Sequence, residues 1–150
     1  MFAHILVPTD FSACADEALD TAVRVAEKFD AKLTLVHVFE PPTYAYTEMM
    51  AAVDLVTPLQ DAARELLESA FAALKARYAN SHCLLLSGSA ATEIVAAVEK
   101  QHAELVVIGT RGRTGLKHAL LGSVAERVVR LSPVPVLTVR HARRSGTKET

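Results

Sequence analysis

The chain has 150 residues, a formal net charge of −1, 51% hydrophobic and 22% charged side chains. That length is one domain's worth, and a domain of ~150 residues buries roughly 68–70% of its unfolded surface, so the composition excludes a disordered chain. The near-neutral balance excludes a general attraction to nucleic acid or to a membrane, and any electrostatic reading must be local.

Met1 to Pro8 has no basic head and its apolar run stops at Pro8, which is unlike a signal peptide. Ala3 to Val7 reads as a short buried strand closed by Pro8-Thr9-Asp10. From Ser12 to Phe29 the positions Ala15, Ala18, Leu19, Ala22, Val23, Ala26 and Phe29 follow the helical i, i+3, i+4 rhythm. Leu33 to Phe39 is apolar and partly β-branched, as a buried strand should be. Residues 40–56 hold two tyrosines, two methionines and two prolines without a period and read as a long loop, with Tyr44, Tyr46, Met49 and Met50 as loop filler. A second helix is expected from Pro58 to Tyr78, with Leu59, Ala62, Ala63, Leu66, Leu67, Ala70, Phe71 and Leu74 along its inner face. A strand over His82–Leu86, a helix over Ala91–His102, a strand over Leu105–Ile108, a helix over Ser123–Leu131 and a strand over Val134–Val139 complete residues 1–140 as one domain. Residues 141–150 read as a polar tail. No apolar run approaches the ~20 residues of a membrane helix.

Strands alternating with helices imply an α/β fold, an open five-stranded parallel sheet with helices on both faces. In such a sheet the ligand crevice lies beyond the C-terminal strand ends, where the strand order reverses. Asp10 and Gly109 follow the first and fourth strands, and line one crevice if those strands are neighbours.

The segment from Gly109 to Ser123 reads G-x-x-G, nine residues, then G-S, between a strand and a helix. Gly109 and Gly112 are expected to adopt conformations closed to other residues and to approach a ligand closely. Gly122-Ser123 opens a helix, with Ser123 as the expected N-cap, and the free amides and positive dipole end there suit phosphate. Arg111, Arg113, Lys117, Arg127 and Arg130 face only Glu126 between residues 109 and 130, a local surplus of positive charge that favours a polyanion.

Ile5-Leu6-Val7-Pro8-Thr9-Asp10-Phe11-Ser12, Leu35-Val36-His37-Val38, the glycine segment, Val124 to Arg130 and Pro133-Val134-Pro135-Val136-Leu137 together resemble the universal stress protein family over about residues 2–140. The resemblance implies strand order 3-2-1-4-5, an adenine nucleotide alpha hydrolase-like fold, and the branch of the family that binds ATP. It places Pro8, Thr9 and Asp10 at the ribose or nucleotide and the Val38 backbone against adenine. Gly109, Gly112, Gly122, Ser123 and Val124 then surround the ribose and phosphates. Arg111, Arg113 and Lys117 fall in the variable part of the motif, so their contribution is read from charge alone.

From the residues alone, Asp10 reads equally as a cap of the first helix, a role Ser12 could also fill, and as a ligand contact; the resemblance favours the ligand contact. A carboxylate beside phosphates also suits Mg²⁺. His4 and His37 read as hydrogen-bonded core histidines. Cys14 and Cys83 are expected to be two buried thiols in the cytoplasm, without disulfide, and Cys14 lacks a base partner. Pro133 and Pro135 mark the last strand as a sheet edge. Its apolar residues invite cover by antiparallel pairing with a second copy through Val134, Val136, Leu137, Thr138 and Val139, the homodimer that the resemblance also implies.

The expected function is ATP-dependent regulation of an unidentified protein partner, with a slow Mg²⁺-dependent ATP hydrolase as the alternative. No Walker pattern and no evident base accompany the glycine segment. A phosphoacceptor receiver would need a pair of acids after the first strand, and an FMN carrier a glycine-rich loop there. Pro8-Thr9-Asp10-Phe11-Ser12 supplies neither.

Overall fold

The computed structural model describes residues 1–42, 54–112 and 121–141. Its elements in order are β1 (His4–Pro8), α1 (Ala13–Phe29), β2 (Lys32–Phe39), α2 (Val56–Arg77), β3 (Ser81–Ser87), α3 (Ala90–Lys100), β4 (Leu105–Gly109), α4 (Ser123–Leu131) and β5 (Val136–Val139). All strand pairs are parallel, in the order β3-β2-β1-β4-β5. The chain lays strands outward from β1, then crosses back to place β4 on its other side. The reversal therefore falls between β1 and β4, as expected.

Both sheet faces are covered, which is why β1 is buried at every position and reads as an unbroken apolar run. Side chains alternate between faces. Ile5, Val7, Leu33, Leu35, Leu105 and Val107 pack beneath α1 and α2, while Leu6, Val36, Val106 and Ile108 pack beneath α3 and α4. Helix α1 presents Ala18, Ala22 and Ala26, spaced by four, and these small residues let it lie close to the sheet. Ser12 caps it, with Oγ accepting from the Ala15 amide at 3.2 Å.

Several expectations change. Helix α2 starts at Val56, two residues before Pro58, and ends at Arg77. Only Ala63, Leu67 and Leu74 of its expected inner face are buried, with Ala70 and Phe71 packed partly against them; Leu59 and Leu66 are exposed. The helix overlies the β2–β3 edge and needs only a narrow apolar stripe there. Val134 lies outside β5, held in a turn by Ser132, whose hydroxyl donates to the Val134 carbonyl (2.8 Å) and accepts from the Val134 amide (3.2 Å). The ladder to β4 begins as the Pro135 carbonyl accepts from Val106.

Cys14 is buried but Cys83 is exposed on edge strand β3, so the expectation of two buried thiols holds for one. Partial desolvation, and then the charge of Glu68, raise the Cys83 thiol above its ordinary value, which makes it a poor nucleophile. The readings of Tyr44, Tyr46, Met49 and Met50, of Arg113 and Lys117, and of residues 142–150 lie outside the described residues. Among the described residues no helix is long and apolar enough to cross a membrane.

Candidate functional site

A cavity of about 300 Å³ opens at the C-terminal ends of β1, β2 and β4, where helices α3 and α4 begin. Ten of the eleven residues expected at a ligand site line it: Pro8, Thr9, Asp10, Val38, Gly109, Arg111, Gly112, Gly122, Ser123 and Val124. Arg113 lies outside the described residues. Sequence reasoning missed His37, Ala90, Ile94, Thr110 and Ala125, which also line the cavity. Thr110 was within reach, since it fills a gap of the glycine pattern, and Ala125 follows two residues after the pattern ends. Ala90 and Ile94 arrive only through the packing of α3 and leave no local signal.

The end of the cavity expected to take phosphate is built from the start of α4. Gly122, in extended conformation, is the N-cap, and its carbonyl accepts the first helical bond from Glu126. Ser123 is therefore the first helical residue, a correction to its expected role as cap. Glycine has no side chain with which to cap the helix. The amides of Ser123, Val124 and Ala125 have no partner within the helix, and all three residues line the cavity. The Gly122 amide is already used: it donates to the Thr110 carbonyl at 2.6 Å. Three successive amides and the positive end of a helix dipole make a fitting cradle for phosphate oxygens.

The glycines serve space rather than torsion, for neither Gly109 nor Gly112 has a positive φ. A Cβ on Gly109 would stand 2.9 Å from the Cys14 carbonyl oxygen, so this glycine lets the first turn of α1 press against β4. A Cβ on Gly112 would stand 2.8 Å from Asp10 Oδ2. That glycine brings the two rims of the crevice together.

Asp10 does not cap α1. Its Oδ1 accepts from the Ser12 amide at 3.0 Å in a local turn, while Ser12 itself is the cap. Nearby Asp16 has its carboxyl raised, by desolvation first and then by the charges of Asp20 and Asp10. Beneath the crevice, Cys14 Sγ donates to the Val139 carbonyl at 3.3 Å, a structural bond that ties α1 to β5. The expectation for His4 is met, and that for His37 in part. His4 is buried, with Nδ1 donating to the Gln101 carbonyl and Nε2 accepting from the Thr34 hydroxyl, both at 2.8 Å. His37 is hydrogen-bonded as well, to the Thr9 carbonyl at 2.8 Å, but at the crevice wall rather than in the core. Among the described residues no group of three His, Cys, Asp or Glu is placed to hold a metal ion, so a cation here would need oxygens from the ligand itself.

The model of the Universal stress protein family matches residues 1–140. The chain belongs to the universal stress protein family. Universal stress protein MJ0531 of Methanocaldococcus jannaschii is 34% identical over 141 residues, covering 93% of this chain and 83% of that protein. Among solved structures, the universal stress protein UspA from Lactobacillus plantarum superposes with a TM-score of 0.83 at 26% identity, over 92% of this chain and 97% of that one. A universal stress protein in complex with cAMP superposes with a TM-score of 0.69 at 25% identity, over 94% and 99% of the two chains.

Proposed function

We propose that this universal stress protein binds ATP in the crevice between β1 and β4 and acts in the cytoplasm as a nucleotide-dependent regulatory module for a protein partner. The observation that carries the reading is the bare start of α4, where the Ser123, Val124 and Ala125 amides open onto the cavity beside Arg111. In this reading the triphosphate lies on those amides, Pro8, Thr9 and Asp10 meet the ribose, and Gly112 and Gly122 leave room for the tail. The Val38 backbone takes the adenine edge, and Arg113 adds positive charge from the same segment. Asp10 shares Mg²⁺ with phosphate oxygens, the mixed coordination this ion favours. A relative of the same fold solved with cAMP supports an adenine nucleotide as the ligand class.

The same reading includes a homodimer. Strand β5 is a sheet edge, Leu137 and Thr138 are exposed on it, and Val136 and Val139 are half-buried. Antiparallel pairing with a second copy covers these residues together with the neighbouring Val134.

The test is calorimetric titration of the protein with ATP, ADP and AMP, with and without Mg²⁺. Micromolar-range ATP binding, weakening as phosphates are removed, is the expected result. Equal affinity for AMP and ATP would refute the phosphate cradle, and no binding at all would refute the nucleotide reading. Sustained phosphate release in the same samples would assign slow hydrolysis instead of regulation by occupancy.

A further inference from the structure

The turn after β1 has a strained backbone. Phe11 sits at φ +63°, in the left-handed region that a bulky residue adopts only when its surroundings impose it. Local bonds supply part of that constraint. The Phe11 amide donates to Thr9 Oγ1 and the Ser12 amide to Asp10 Oδ1, each at 3.0 Å. The Thr9 amide donates to the Val36 carbonyl at 2.8 Å, extending the β1–β2 ladder past Pro8.

A further anchor comes from β2. His37 Nδ1 lies 2.8 Å from the Thr9 carbonyl oxygen. A carbonyl only accepts, so Nδ1 carries the proton and donates, in the neutral and the charged imidazole alike. The His37 ring also lies against the Phe11 ring, with centroids 4.5 Å apart and planes inclined by 43°. One side chain thus grips the turn on both sides of Asp10: the carbonyl before it and the aromatic ring after it.

We infer that His37 is the positioning residue for Asp10, holding the Thr9–Ser12 turn so that the carboxylate stays beside Gly112 and sets affinity for the sugar end of the ligand. The inference rests on the proposed nucleotide reading and deepens it. Phosphate binding at α4 uses amides that His37 does not touch, so the two ends of the ligand respond differently when His37 is changed. A ribose presents hydroxyl donors that need an acceptor fixed in place, and a carboxylate on a loosened turn must be ordered again at each binding event. An inorganic polyphosphate makes no such demand.

The experiment is calorimetric titration, without Mg²⁺ so that no cation links Asp10 to the phosphates, of the whole chain and two variants with ATP and, separately, with inorganic tripolyphosphate. His37→Phe keeps an aromatic ring against Phe11 and removes the donor. His37→Asn returns an amide N–H close to the place of Nδ1. Loss of one hydrogen bond that orders a contact group is expected to weaken ATP binding by about tenfold in His37→Phe. Tripolyphosphate affinity stays at the wild-type value, and His37→Asn recovers most of the ATP affinity. Wild-type ATP affinity in His37→Phe overturns the inference and leaves the nucleotide reading standing. So does an equal loss for both ligands, which marks a general structural role. Should His37→Phe fail to fold, His37→Asn decides alone: near-wild-type ATP affinity supports the inference, and a tenfold loss overturns it. A wild-type protein that binds no ATP overturns both readings together.

Discussion

The two ends of the sheet are finished differently. At the N-terminal strand ends the chain satisfies its own polar groups: His4 is bonded through both ring nitrogens, and the Ala3 amide donates to the Glu104 carboxylate at 2.7 Å. At the C-terminal ends α4 begins on a glycine without a side-chain cap. A Ser, Thr, Asp or Asn at a helix start stabilises by about 1 kcal/mol over a residue that cannot cap, whereas glycine forgoes only a few tenths of that. The start of α1 shows that the same chain makes such a cap with Ser12. The difference separates polar groups spent on the fold from those kept open for something else.

The largest expected effect breaks the open end. Gly122→Val should abolish ATP binding, a loss of at least ~100-fold or about 2.7 kcal/mol, because a branched side chain would fill the mouth of the amide cradle. A Cβ there already stands only 3.3 Å from the Thr110 carbonyl. Titration with ATP measures the loss, and a wild-type affinity would end the claim that phosphate lies there.

Gly109→Ala should act on the fold. Its new methyl meets backbone of α1, so urea denaturation should show a stability loss of about 1–3 kcal/mol, the usual cost of overpacking. A neutral result would show that α1 can shift away from β4 freely. Ser12→Ala sharpens the contrast between the two helix starts. It should cost about 1 kcal/mol in the same assay while ATP affinity holds, and a larger effect on binding than on stability would place Ser12 in the site.

The closed end gives the smallest effect, read as a pH dependence. Desolvation, foremost, pulls the His4 pKa below its ordinary value, with Lys32 and His82 adding, while the Gln101 bond and Glu104 oppose. The unfolded chain therefore binds a proton at His4 more readily than the folded one. Its contribution to stability is complete above the unfolded value of about 6.5 and is lost as pH falls through the lowered folded value. The difference in stability between wild type and His4→Gln, taken from pH 8 down to about 5 by thermal melting, should narrow as pH falls. A constant difference would mean that His4 does not titrate with folding.

The fold was legible because the sheet is buried on both faces: Ile5-Leu6-Val7 and Leu105-Val106-Val107-Ile108 are apolar runs that little else explains. Strand order came through the resemblance, since pairing in space leaves no periodic mark along one chain. Helix α2 misled because Leu59 and Leu66 continue an apolar rhythm that the sheet edge does not use. At the site, the glycine spacing gave the place but not the reason. Gly109 reads as a ligand contact and does line the cavity, but the atom its missing side chain makes room for is the Cys14 carbonyl. His37 looked like ordinary core because its partner is a backbone carbonyl 28 residues earlier, and such a bond has no signature in composition.

The short contact between the Gly122 amide and the Thr110 carbonyl joins the residue that follows β4 to the residue that opens α4. Strand end and helix start are thereby coupled, so any shift of β4 against β1 would carry the amides of Ser123, Val124 and Ala125 with it and re-aim them at the cavity.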